Sequence, residues 1–140
     1  GSDKKTAKTK ANEMLSAFSL TEVAKDKAKT LSGGMQRRLS IAMALISNPQ
    51  ILFLDEPILG IEVIARRELW SIIKKLKGKI TIILTTHYME EAEALSDRIG
   101  IMAKGQLKAV GTAAEMISQT GAKTFEDAFI ALATESEVRI

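Results

Sequence analysis

Two short apolar runs, separated by a helical pattern, constrain the fold of this chain more than any other feature. Ile51–Asp55 and Ile80–Thr85 are typical of buried strands, and Glu62–Lys77 between them has apolar residues at helical spacing. A strand, a helix and a second strand in this order predict an α/β protein with a parallel sheet covered on both faces. The inner side of the helix is predicted to carry Ile64, Leu69, Ile72, Ile73 and Leu76.

The remaining elements are predicted from the same periodicities. Thr112 and Glu115 have the spacing of a capping box, and the last helix has an apolar stripe. The predicted helices are Ala11–Phe18, a short one from Leu20 toward Lys29, one from the Gly33–Gly34 loop to near Asn48, Tyr88–Leu95, and a last one containing Phe125, Phe129 and Leu132; the further strands are Arg98–Met102 and Gln106–Val110, joined by a Lys-Gly turn.

Composition excludes several classes of site. The 140 residues contain no cysteine, so disulfides and thiolate metal sites are excluded. No apolar run approaches the roughly 20 residues of a membrane span, and no signal peptide is recognisable. The net charge of +3 is accounted for by Lys4, Lys5, Lys8 and Lys10 against Asp3. We interpret this start as a frayed end after a Gly1–Ser2 cloning scar. A nucleic-acid partner is therefore not expected.

The stretch Thr30–Leu39, with the sequence TLSGGMQRRL, predicts an anion site. Ser32 can cap the helix that follows, and Gly33 and Gly34 leave backbone N–H groups open to close approach. The helix dipole adds partial positive charge at the same point. The segment is therefore predicted to bind a phosphate.

Polar residues follow both predicted strands of the parallel pair. Asp55 is placed to hold a hard cation, and Glu56 beside it could orient or deprotonate a water. His87, the only histidine, follows the second strand. Because ligands of parallel sheets bind at the carboxyl ends of the strands, we expect these groups at one rim. Taken singly, Asp-Glu-Pro could merely end a strand, and His87 could be an ordinary hydrogen-bonded residue.

The order of these motifs resembles the second half of an ATP-binding cassette (ABC) transporter ATPase, from about Asn12 to Ala133. The resemblance implies the family signature at Leu31–Met35, the Walker B strand at Ile51–Glu56, the D-loop at Gly60–Glu62 and the H-loop at His87. It implies the catalytic residues Glu56 and His87, the Mg²⁺ ligand Asp55, and the nucleotide-binding residues Ser32, Gly33, Gly34, Met35, Gln36, Gly60 and Glu62.

The resemblance also implies a P-loop NTPase-like fold and partners. In that family two ATPase subunits face head to tail, and the signature of one contacts the γ-phosphate of ATP bound to the other. A transmembrane permease places such subunits at the inner face of the cell membrane, in the cytoplasm. The expected divisions are 1–10 as a flexible start, 11–49 as a helical subdomain remnant, 50–111 as catalytic core and 112–140 as a helical tail.

The sequence departs from the family pattern in two ways. No G-x-x-x-x-G-K-[ST] phosphate loop and no glutamine loop occur, so the chain resembles only the C-terminal part of the domain and is expected to be inactive alone. Without the phosphate-loop strand, two strand edges would face a gap with unpaired backbone groups. This predicts an edge-paired or swapped oligomer, or altered packing after Leu95. The family usually has other residues at Met35, Ile58, Leu59 and Glu62.

The SGGM form of the signature resembles the bacterial drug- and antibiotic-efflux branch, the ABC-2 type. The function expected is therefore the ATPase subunit of an exporter. Two alternatives stay open: an ABC ATPase acting on ribosomes or DNA, and a non-enzymatic binding module. A phosphate loop encoded upstream would discriminate against the binding module.

Overall fold

A computed structural model describes residues 3–135, which belong to two compact units, Gly1–Thr85 and Thr86–Ile140. The division after Thr85 falls inside the segment 50–111 that the sequence predicts to be one catalytic core. Each unit is described by itself. Within residues 3–135, no helix is long and apolar enough to cross a membrane.

The first unit opens with helix α1, Lys4–Ala17. Asp3 caps this helix, because its Oδ1 accepts a hydrogen bond of 2.7 Å from the backbone N–H of Thr6. The capped start makes the lysine-rich segment helical, although a frayed end is predicted there from the sequence. The predicted helix from Leu20 toward Lys29 is instead two single 3₁₀ turns, Thr21–Val23 and Ala28–Thr30, because the backbone is extended at Lys27.

Helices α2, Gly33–Leu45, and α3, Val63–Leu76, pack against each other in this unit. Leu69, Ile72 and Ile73 are buried on α3 as predicted, but Ile64 is 75% exposed. Ile64 lies in the first turn of α3, two residues after Glu62, where no described element covers it. The buried apolar residues of the unit are Phe18, Leu20, Ile41, Ala42, Leu45, Leu52, Leu54, Ile58, Ile61, Leu69, Ile72 and Ile73.

Strands β1, Ile51–Asp55, and β2, Thr81–Thr85, form the predicted parallel pair. The expectation of burial on both faces is wrong for these residues, because burial alternates along β1 and Phe53 is 71% exposed. Alternation with period two indicates a strand with one face against the core. The pair is a two-stranded sheet, with β1 and β2 in direct register from Ile51–Thr81 to Asp55–Thr85.

The second unit begins with helix α4, Met89–Leu95, and an antiparallel hairpin of β3, Ile99–Ala103, and β4, Gln106–Gly111. Its turn is the predicted Lys-Gly pair: Lys104 and Gly105 both have positive φ, of 51° and 75°. Two successive residues with positive φ match the twist of antiparallel strands. Strands β3 and β4 form a two-stranded sheet of their own, distinct from the β1–β2 sheet.

Two helices complete the second unit, α5, Ala113–Thr120, and α6, Phe125–Thr134. The predicted capping box is present, since Thr112 and Glu115 each bond the other's backbone N–H. Helix α6 packs on β3 and α5, which confirms the predicted apolar stripe. The buried core of this unit consists of Ala92, Ile99, Ile101, Met116, Phe125, Ala128 and Leu132, and Phe129 packs against it while partly buried.

Candidate functional site

The start of α2 is built as a capped helix N-terminus. Ser32 has extended backbone, with φ −62° and ψ 162°, and its Oγ accepts a hydrogen bond of 3.2 Å from the N–H of Met35. This geometry confirms the predicted N-cap. The N–H groups of the first helical turn point out of the helix end, where no carbonyl of the helix can accept from them.

The two signature glycines have different surroundings. A Cβ added to Gly33 would meet no atom of residues 3–135 within 4 Å, whereas one added to Gly34 would lie 2.9 Å from the Cβ of Ala65 on α3. Gly34 is therefore needed for the packing of α2 against α3. The packing of this chain gives no such reason for Gly33.

The side chain of Gln36 forms hydrogen bonds within the first unit. Its Nε2 donates to the carbonyl oxygens of Ala28, at 3.3 Å, and Leu31, at 3.1 Å. The side chain thus fixes the loop that precedes the helix. Met35, on the same turn, is half-buried.

Asp55 lies at the end of β1, and its side chain is exposed. Its register partner on β2 is Thr85, whose Oγ1 donates a hydrogen bond to Oδ1 of Asp55. The neighbouring strand therefore fixes the orientation of this carboxylate.

Glu56 begins the turn after β1 and has a left-handed backbone, with φ 48°. Its N–H donates to the carbonyl of Thr85 at 2.8 Å, and its own carbonyl accepts from the N–H of Leu59 at 3.2 Å. Left-handed conformation is costly for a residue with a Cβ, and such residues concentrate at functional sites. Glu56 is half-buried, whereas the neighbouring Asp55 is exposed, so the two carboxylates lie in different environments.

Gly60 and Glu62 lie on the exposed side of the same turn. Gly60 has φ 77°, a conformation that explains the glycine. Glu62 occupies the N-cap position of α3 without a side-chain hydrogen bond to the helix. Pro57 and Gly60 both lie in the turn that follows β1.

His87 belongs to the second unit, where its side chain is exposed. Its ring lies 4.3 Å from the ring of Tyr88, measured between centroids, at an interplanar angle of 31°. The N–H of Tyr88 donates to Oγ1 of Thr86 at 3.0 Å, which shapes the turn before α4. That His87 shares a rim with Asp55 and Glu56 stays a prediction.

The single carboxylate of Asp55 at the end of β1 suits a metal ion that is shared with a substrate. Across residues 3–135, no group of three or more histidine, aspartate or glutamate side chains is placed to hold a metal ion. Mg²⁺ is usually held by one or two carboxylates together with substrate phosphates, rather than by a protein cage. A single Asp55, exposed and oriented by Thr85, suits that arrangement.

Sequence reasoning missed two residues at this site. Thr85 could have been found from the strand register, because it directly opposes Asp55 in the parallel pair. Arg37 donates through its guanidinium to the carbonyl oxygens of Glu56 and Leu59. No spacing in the sequence indicates that contact, which depends on how α2 packs.

Comparisons with known proteins give matches in sequence and in fold. The ABC transporter family model matches residues 2–59. "ABC transporter A family member 11" of Arabidopsis thaliana is 53% identical over 114 residues, which cover 81% of this chain and 12% of that protein. "Linearmycin resistance ATP-binding protein LnrL" of Bacillus subtilis is 45% identical over 119 residues, which cover 84% of this chain and 38% of that protein.

A solved structure, "Structure of ATP binding subunit of ABC transporter", superposes with a TM-score of 0.75 at 26% identity, over 94% of this chain and 56% of that one. The chain thus spans 12% of the length of the Arabidopsis relative and 38% of the length of the Bacillus relative. A protein named for linearmycin resistance is among these relatives, which agrees with the resemblance of the SGGM signature to the drug- and antibiotic-efflux branch. By sequence and by fold, this chain belongs to the ABC transporter family and matches part of its ATP-binding domain.

Proposed function

We propose that this chain contributes to the ATP-hydrolysing subunit of an ABC membrane transporter, and specifically of an exporter. The observation that carries the proposal is the pair Asp55 and Glu56, placed in succession at the carboxyl end of β1. The relatives that are named for antibiotic resistance support export. The name of a human relative, "Phospholipid-transporting ATPase ABCA3", supports ATP hydrolysis.

In this proposal the start of α2 binds the γ-phosphate of ATP held by a second subunit. Ser32 and the N–H groups of the first turn supply hydrogen bonds and partial positive charge. The open space beside Gly33 supports close approach of a phosphate. Gly34, Met35 and Gln36 shape the turn that presents those donors.

The end of β1 supplies the groups for hydrolysis. Asp55, oriented by Thr85, would hold Mg²⁺, which neutralises charge on the β- and γ-phosphates when bound. Glu56 would accept a proton from the attacking water, or polarise it, as a general base. Its fixed backbone supports a carboxylate that needs little reorganisation during the reaction.

Three further residues have roles in the proposal. His87 contacts the γ-phosphate from the H-loop, and its exposure supports access by a ligand. Gly60 and Glu62, exposed on the turn after β1, face the second subunit across the dimer. Glu62 keeps the charge of the aspartate that the family prefers and reaches one methylene further.

We also propose the setting of this activity. The subunit lies in the cytoplasm at the inner face of the membrane, docked on a transmembrane permease, and binds no nucleic acid. These 140 residues on their own do not turn over ATP, because no phosphate-loop motif is among them to hold the β- and γ-phosphates.

A hybrid protein tests the proposed chemistry. In the hybrid, this chain replaces the matching segment of the Bacillus subtilis relative, with which it shares 45% identity. We expect Mg²⁺-dependent ATP hydrolysis that Glu56→Gln lowers by about 10²-fold or more, with nucleotide binding retained. Glu13→Gln, an exposed position on α1, serves as the matched control. A Glu56→Gln hybrid that hydrolyses ATP at the unsubstituted rate contradicts the assignment.

A further inference from the structure

Arg37 joins the signature helix to the turn that carries Glu56. It lies in the second turn of α2, and its side chain is half-buried. Nη1 donates to the carbonyl oxygen of Glu56 at 3.0 Å, and Nη2 donates to the carbonyl oxygen of Leu59 at 3.4 Å. One guanidinium thus bridges both ends of a four-residue turn.

The turn needs such support at Glu56. Its left-handed backbone, at φ 48°, persists only if the surroundings impose it. Two backbone hydrogen bonds fix it from within the strand pair and the turn, through Thr85 and Leu59. Arg37 is the contact that comes from α2, so it alone among these bonds links Glu56 to the signature helix.

Arginine suits this position better than lysine. The guanidinium presents its N–H donors in a rigid fork, which can reach two carbonyls at once. A lysine ammonium is a compact charge on a flexible stem and would hold one carbonyl well at most. The charged donor also strengthens each bond relative to a neutral one.

We infer that Arg37 is a positioning residue: it sets the placement of the Glu56 carboxylate according to the position of α2. A phosphate bound at Ser32 and Gly33 would shift the start of α2. Because Arg37 lies on this helix and its guanidinium bonds the carbonyl of Glu56, the shift also moves Glu56. The consequence for hydrolysis rests on the proposed function. The mechanical link itself rests only on the contacts of Arg37.

Hydrogen exchange of the 140-residue chain tests the link. Arg37→Met removes both donors and keeps most of the apolar stem, and Arg67→Met on the exposed side of α3 is the matched control. We expect the amides of Glu56 and Leu59 to exchange about tenfold faster in Arg37→Met, with Arg37→Lys intermediate and Arg67→Met unchanged. Arg37→Lys retains the charge. If neither amide exchanges faster in Arg37→Met or in Arg37→Lys than in the unsubstituted chain, the inference is overturned.

A double-mutant cycle in the hybrid tests the consequence. Arg37→Met should lower kcat by about ten- to hundredfold with the KM for ATP unchanged, because Glu56 is displaced while the nucleotide contacts remain. In a Glu56→Gln background the same change should lower kcat no further. An equal loss in both backgrounds means a general structural role and overturns the inference. An inactive unsubstituted hybrid contradicts the proposed function instead, and the exchange measurement then decides on Arg37.

Discussion

Gly33 and Gly34 are neighbours in the signature, yet the structure gives a packing reason for only one of them. Ala65 on α3 lies where a side chain on Gly34 would be, and the space beside Gly33 is open. The open space beside Gly33, at a helix start suited to anions, leaves room for a phosphate to approach the backbone.

This contrast predicts different effects on stability. Gly34→Ala should lower the free energy of unfolding by about 1–3 kcal/mol, because the added methyl group meets the Cβ of Ala65 at 2.9 Å. Gly33→Ala should leave it unchanged or raise it by up to about 1 kcal/mol, because alanine favours the helix. Urea unfolding of both variants measures the difference, and equal destabilisation would contradict it.

His87 provides a second test at the residue scale. In the hybrid, His87→Ala should lower ATP turnover by about 10²-fold, because the proposed function assigns His87 as a donor to the γ-phosphate. His87→Gln keeps a donor and should retain more activity than His87→Ala. Lys123→Ala, exposed in the same unit, is the control. Turnover of His87→Ala at the rate of this control would remove His87 from the site.

At the scale of elements, strand β1 has one face against the core and one exposed. Leu52 and Leu54 are buried, at 5% and 7% exposure, whereas Ile51 and Phe53 are 50% and 71% exposed. The apolar run ILFLD has the composition of a fully buried strand. Its exposed face therefore has side chains suited to being covered, although none of the described elements covers it.

The two faces of β1 predict a difference between adjacent substitutions. Leu54→Ala should lower the free energy of unfolding by about 2–5 kcal/mol, because it leaves a cavity. Phe53→Ala should change it by only about 0.5 kcal/mol, because the ring packs little in the chain. Chemical denaturation of the two variants, at a protein concentration low enough for the chain to be monomeric, decides, and a cost at Phe53 as large as that at Leu54 would show that both faces are buried.

Local signals predicted the elements well and their surroundings less well. The bounds of β1, the Ser32 cap, the Lys104–Gly105 turn and the Thr112–Glu115 capping box depend on neighbouring residues, and all are confirmed. Burial of Phe53 depends on which element lies over it, and the sequence period does not contain that information.

The same distinction between local signals and packing applies to the residues of the candidate site. Asp55 and Glu56 could be predicted because they end an apolar strand. Arg37 could not, since its contact with Glu56 spans 19 residues and depends on the packing of α2.

At the scale of the whole molecule, the exposed face of the β1–β2 pair predicts self-association. Phe53 and Ile83 are register partners and are 71% and 44% exposed. Burial of such apolar surface is favourable, by about 25 cal/mol per Å². We expect the chain to associate as its concentration rises and Phe53→Lys to weaken the association, whereas Val110→Lys on β4 should not. Sedimentation that shows only monomer at all concentrations contradicts this expectation.

In the proposed function the signature of this chain completes a nucleotide site of a second subunit, a claim that can be tested by mixing two inactive hybrids. One hybrid carries Gly33→Asp. In the other hybrid, a replacement removes the phosphate-loop lysine, which lies in the part contributed by the relative. A head-to-tail dimer of the two contains one site with an intact phosphate loop, an intact signature and an intact Glu56. We predict that mixing restores ATP hydrolysis, to about half the unsubstituted rate per mixed dimer, and that Glu56→Gln in the Gly33→Asp hybrid abolishes the restoration. A mixture as inactive as its two components would contradict the claim.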